Sequence, residues 1–145
     1  GVPAKELAKK STRFVVNPVR AGNNTIETDN GAISVHDAGT GFMCIKRSVI
    51  EKLIEAYPEL KFNDDTGSMN DEEKNWTYAF FNSYVDDDGR FVSEDYGFCR
   101  YWQKLEGKVW VDPAIEIQHL GRFNYEGNMM DYLISISQKP VEIQE

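Results

Sequence analysis

Apolar residues recur at helical spacing in two stretches of the chain. Ile50, Leu53, Ile54 and Tyr57 fall at i, i+3, i+4 and i+7, the stripe that one face of a 3.6-residue helix buries. Ser48 with Glu51 reads as a capping box at the start of this helix, and Pro58 marks its end. Phe98, Cys99, Trp102 and Leu105 form a second stripe within a helix predicted over Ser93–Glu106. Ser93 is its expected N-cap, acids occupy its first turn, and Gly107 stands just past its end. A short helix with proline near its start is expected from Pro3 to Lys10, and a last one from about Glu126 to Ile136.

Between these stripes the pattern changes to short apolar runs bounded by turn residues. Thr25–Asp29 and Ala32–His36 flank Asn30-Gly31, a hairpin signal because a type I′ turn needs positive φ at both central positions. Phe42-Met43-Cys44-Ile45 reads as a buried strand, and Arg13-Phe14-Val15-Val16 as a strand stopped by Asn17-Pro18. Tyr78–Val85 meets Arg90-Phe91-Val92 across Asp86-Asp87-Asp88-Gly89, a second predicted hairpin, and further strands are expected at Lys108–Val111 and Ile115–Gln118. Asn63–Asn75, acidic and poor in apolar residues, reads as an exposed loop. The chain carries no internal repeat, and the predicted class is mixed α/β in one domain, 1–145.

Composition narrows the picture. A chain of 145 residues, 41% of them hydrophobic, can bury one real core. The net charge of −8, with scattered Lys and Arg, argues against nucleic acid as a partner. No apolar run approaches a membrane span, and Gly1-Val2-Pro3-Ala4-Lys5-Glu6 lacks the apolar core of a signal peptide, so a soluble, cytoplasmic protein is expected. Cys44 and Cys99 have neither metal-site spacing nor the density of a disulfide scaffold and read as two buried free thiols. The sequons Asn23-Asn24-Thr25 and Asn75-Trp76-Thr77 carry no weight without a secretion signal. The chain does not begin with Met, so a processed product, a trimmed chain or a fragment is expected.

Three places carry candidate chemistry. Ser93-Glu94-Asp95 has two readings: carboxylates in a first turn meet the positive end of the helix dipole, and a carboxylate so placed can take a proton from a substrate hydroxyl. Asp95 is the better candidate if Glu94 faces outward. His119 is either a histidine satisfied at a strand end or a ligand to a divalent cation, with carboxylates borrowed from elsewhere. Arg122 beside it is either a solvated surface group or a phosphate contact. Asp86-Asp87-Asp88 reads as a turn, because an EF-hand needs acids at alternate positions and a Glu twelfth in its loop.

Thr40-Gly41-Phe42-Met43, Arg47-Ser48-Val49, Ser93-Glu94-Asp95-Tyr96-Gly97-Phe98-Cys99, Lys108-Val109-Trp110-Val111-Asp112-Pro113 and His119-Leu120-Gly121, in this order and spacing, resemble the C-terminal half of a family 2-like, nucleotide-sugar-dependent glycosyltransferase of the GT-A fold. The resemblance covers about Gly39 to Gly127. It implies Asp95, with Glu94 beside it, as the catalytic base of an inverting enzyme, and His119 as a ligand to Mn²⁺ or Mg²⁺. It places Thr40 and Gly41 at the sugar pocket, and Arg122, from its charge alone, is added as a candidate substrate contact. It also implies a nucleotide-sugar donor and a saccharide acceptor as partners.

The resemblance further implies a partial GT-A-like fold lacking the N-terminal Rossmann-like half, because the first 38 residues are too short for that region and Asp86-Asp87-Asp88 follows the sugar-pocket turn where the family's Asp-x-Asp precedes it. Transfer by this chain alone is therefore not expected, and an exposed sheet edge should favour self-association. The alternative is a non-catalytic module of the same ancestry that binds saccharide or protein, with Trp76, Trp102, Trp110 and the tyrosines available for stacking on sugar rings.

Overall fold

The structure, a computed structural model, describes residues 14, 16–117, 119–120, 124–125 and 127–137. Along the chain come β1 (Thr28–Asp29), β2 (Ala32–Val35), α1 (Arg47–Ala56), β3 (Tyr84–Val85), β4 (Phe91–Val92), α2 (Glu94–Lys104), β5 (Val109–Val111), β6 (His119–Leu120), β7 (Asn124–Tyr125) and α3 (Met129–Ser137). Three short 3₁₀ turns lie at Thr40–Phe42, Pro58–Leu60 and Glu73–Trp76. The class is mixed α/β, with one three-stranded sheet in the order β1-β2-β5 and two isolated hairpins, β3-β4 and β6-β7.

The chain divides into two compact units, Val35–Val109 and the segments on either side of it. The flanking unit is built on the Asn30-Gly31 hairpin. Both turn residues adopt positive φ, 49° and 87°, as a tight hairpin turn demands, and the register pairs Thr28 with Ile33 and Asp29 with Ala32. Beyond this register the predicted outer end thins to one bond to β2, from the Ser34 N–H to the Glu27 carbonyl at 2.9 Å, and Ile26 bridges Arg20. Among the described residues of this unit, Ile33 and Leu133 are buried apolar side chains, and Phe14 packs against Tyr132 at 5.9 Å.

The central unit packs α1 against α2. Leu53, Phe80 and Phe98 are its buried centre, surrounded by Val49, Ile50, Ile54, Tyr57, Tyr101, Trp102 and Leu105. The two apolar stripes read from the sequence thus face each other. Aromatic stacking extends the core: Phe81 lies parallel to Phe98 at 4.6 Å, and the Tyr57 hydroxyl donates to the Tyr101 carbonyl at 3.1 Å.

Several local expectations are corrected. The capping box does not form: Lys46 is the N-cap of α1, Ser48 lies inside the helix, and Arg47 takes the Glu51 carboxylate at 2.9 Å. Phe42–Ile45 is not a buried strand. Thr40–Phe42 is a 3₁₀ turn, Phe42 is 74% exposed, and Met43 and Ile45 reach the core from an irregular segment without strand partners. Cys44 is exposed, whereas Cys99 is buried. The second hairpin is real but short, pairing Tyr84 with Val92 and Val85 with Phe91; residues 79–83 belong to no strand. Ile115–Ile117 is an exposed irregular segment, and the pairing begins at His119. Phe14 and Val16 belong to no strand. The helix expected at Pro3–Lys10, together with Arg13, Val15, Gln118 and Glu126, lies outside the described residues.

The end of α2 departs from expectation in an instructive way. The left-handed residue is Glu106, φ 61°, not the glycine after it. Glu106 N–H donates to Gln103 O at 2.9 Å and Gly107 N–H to Trp102 O at 3.1 Å, the pair of bonds that closes a Schellman motif. Gly107 has a different duty: a Cβ there would lie 2.0 Å from the Trp102 indole.

Candidate functional site

Asp95 sits in the first turn of α2, half-buried, while Glu94 beside it is exposed. Ser93 is the N-cap by position, yet its hydroxyl donates to Asp95 Oδ1 and makes no cap bond. The same oxygen accepts the Tyr96 N–H at 2.9 Å. One carboxylate oxygen is thus held by local donors. The other, Oδ2, faces Gly39, 3.6 Å from where a Cβ on that glycine would stand. Gly39 leads directly into the turn carrying Thr40 and Gly41, both exposed.

A row of contacts along α2 fixes this approach. Arg100 grips Asp37 in a two-pronged ion pair, Nε to Oδ1 at 2.8 Å and a terminal nitrogen to Oδ2 at 2.9 Å. The fork matches both distance and plane, which makes such pairs strong and directional. The Cys99 thiol donates to the Ala38 carbonyl at 3.8 Å, and Gln103 Nε2 donates to the His36 carbonyl. The hydrogen bonds that Arg100 donates to Asp37 push its guanidinium up, and burial pushes both the Cys99 thiol and the Tyr96 phenol up from their ordinary values. The carboxylate of Asp95 therefore lies in a neighbourhood whose polar side chains are largely spoken for.

The structure thus brings Asp95 to the segment that enters Thr40 and Gly41. His119 belongs to the flanking unit, where it pairs with Tyr125 across β6-β7. Its ring, on which the metal reading depends, and Arg122 lie outside what is described. Among the described residues no group of three or more His, Cys, Asp or Glu side chains could hold a metal ion. In the β3-β4 turn, Asp86 Oδ1 accepts the backbone N–H groups of Asp88 and Arg90, and its carboxylate pairs with the Arg90 side chain, the bonding of an ordinary turn.

Sequence reasoning missed Gly39, Asp37, Arg100 and Gln103 as neighbours of the site. Spacing gives only a partial signal: Asp95, Cys99 and Gln103 lie at i, i+4 and i+8, one face of a helix. Nothing in the sequence names Asp37 as the partner of a residue so far along the chain. No protein-family model, no curated protein and no solved structure matches this chain, so its own residues carry the functional reading.

Proposed function

We propose that the chain is the acceptor-side part of an inverting, GT-A-like glycosyltransferase that passes a sugar from a nucleotide-sugar donor to an acceptor hydroxyl. The observation that supports this reading most is the approach of Asp95 Oδ2 to Gly39, because it brings one of the sequence blocks on which the resemblance rests to the residue that immediately precedes another. In this reading Asp95 is the general base and Glu94 stands beside it. Ser93 and the Tyr96 N–H orient the carboxylate through Oδ1, which leaves Oδ2 to accept the proton of the acceptor hydroxyl. The acceptor oxygen then bonds to the anomeric carbon from the face opposite the diphosphate, whose bond to that carbon breaks. Thr40 and Gly41 line the sugar side, Arg122 is a further substrate contact, and His119 is the candidate metal ligand. The resemblance alone adds Mn²⁺ or Mg²⁺, and metal dependence is a matter for titration.

A second reading, a non-catalytic module that binds saccharide or protein, is favoured by the most exposed large aromatics among the described residues, Phe42, Trp76 and Phe91. Such rings stack on the apolar faces of sugars. Isothermal titration with a panel of UDP- and GDP-sugars, with and without Mn²⁺, and with oligosaccharides separates the two. Saturable nucleotide-sugar binding that Asp95→Asn retains supports the transferase reading. Saccharide binding without nucleotide affinity supports the module. Binding of neither removes the module; a chain without the donor half is not expected to hold a nucleotide sugar alone, so the transferase reading is then decided by transfer with the donor half supplied. With an acceptor and a complete donor site, Asp95→Asn is expected to lower transfer by about 10²–10⁴-fold, the usual worth of a positioned base. Self-association through the sheet edge belongs to the same reading.

A further inference from the structure

We infer that Arg100 is a positioning residue: with Asp37 it clasps the segment Val35–Gly39 along α2 and so sets the Thr40–Gly41 turn in register with Asp95. The inference rests on the transferase reading only for what the register serves. Its structural basis is a run of contacts in reverse order, with Gln103 on His36, Arg100 on Asp37, Cys99 on Ala38 and Asp95 against Gly39. Residues 36–39 belong to no strand or helix. Side chains of α2 therefore do for this segment what ladder bonds do in a sheet.

Within the row, the ion pair is the member that dictates position. The Asp37 side chain is 2% exposed and that of Arg100 39%, so the carboxylate is sunk in the protein and the guanidinium reaches in to it. A buried carboxylate is costly without its partner, and a planar fork accepts it in one orientation. Slippage of the segment by one residue would break the fork between Asp37 and Arg100. The carbonyl contacts of Cys99 and Gln103 are less selective, since every residue offers a carbonyl. The segment ends on Gly39, two residues before Gly41, so an error at Asp37 passes directly into the turn. A misplacement of about 1 Å at reacting groups can cost on the order of a hundredfold in rate.

Nitrogen-15 relaxation on the full chain tests this. The double variant Asp37→Asn/Arg100→Gln leaves no buried charge unpaired and is expected to fold. In it, the order parameters of Gly39, Thr40 and Gly41 should fall from the rigid range near about 0.85 to below about 0.6, while those of α1 hold. Arg100→Lys keeps the charge and gives up the fork, so it should fall between the two, and it serves as the test if the double variant does not fold. Unchanged order parameters at 39–41 in a folded variant overturn the inference. An equal loss across α1 and α2 also overturns it, because the pair is then only a stabiliser. Titration of the same samples with UDP-glucose keeps the two readings apart. If the wild-type chain binds and the double variant binds equally well, the positioning role is wrong. If the wild-type chain does not bind, as a chain without the donor half is expected not to, the order parameters alone decide the clasp.

Discussion

Cys44 and Cys99 carry the same side chain in opposite surroundings. Cys99 is fully buried with its thiol on the Ala38 carbonyl, and burial pushes that thiol above its ordinary range; Cys44 is exposed. A thiol-reactive dye should therefore label one site per native chain, removed by Cys44→Ser, and two after denaturation. Because the folded state holds the Cys99 proton more tightly than the unfolded chain does, this contribution to stability is full below the ordinary thiol value and is lost as pH rises through the raised one. Asp64 titrates in the other direction. Its carboxylate takes the hydroxyls of Thr66 and Ser68 and backbone N–H groups up to Met69, and these bonds hold its pKa at about 2, below the ordinary 3.8. Its contribution should be complete above 3.8 and vanish as pH falls through about 2. Carbon-13 titration of the Asp64 carboxyl checks the midpoint; a midpoint near 3.8 would show that these bonds do not persist in solution.

At the scale of elements, one position inside α2 and one just past its end favour glycine. Ala is the better helix former by roughly 1 kcal/mol, yet a Cβ at Gly97 would lie 2.7 Å from the Asn82 carbonyl oxygen. That neighbour is backbone and cannot swing away, so Gly97→Ala is expected to destabilise by about 1–3 kcal/mol in urea unfolding. Glu106→Gly should do the opposite and stabilise by about 1 kcal/mol, because it relieves an L-residue in the left-handed region. These positions also mark how far the sequence was legible. The Asn30-Gly31 turn and the facing stripes of α1 and α2 could be read in advance, since each rests on local spacing or on one dipeptide's dihedral preference. The capping box failed because Arg47, one turn before Glu51, competes for its carboxylate and the helix begins two residues early. The Phe42–Ile45 strand failed because a strand exists only where a partner lies alongside, and no local pattern reports that. Asp95 was legible from the helix start, whereas Gly39 reaches it, and Arg100 reaches Asp37, only through tertiary contacts.

For the molecule as a whole, a charge of −8 sets copies of the chain against one another. Among the described residues no helix is long and apolar enough to cross a membrane. The three-stranded sheet has β1 and β5 as its outer strands. Association through such an edge would bring like charges together, so light scattering should report larger assemblies as added salt shortens the Debye length from about 30 Å at 0.01 M to about 3 Å at 1 M. A clean monomer at every ionic strength and at high concentration would remove self-association from the reading. One consequence of α2 reaches beyond any single substitution. Of its residues only Glu94 and Lys104 are exposed; one side meets α1 and another holds 36–39. A helix engaged on two sides cannot absorb a change in length, because one added residue turns everything after it by about 100° and takes both sets of partners out of reach. The stretch around Gly67, with no neighbour near where a Cβ would stand, has room to spare. A peptide tag or reporter should be accepted at Gly67-Ser68 with the protein still folded, while a single alanine inserted between Phe98 and Cys99 should leave no soluble product.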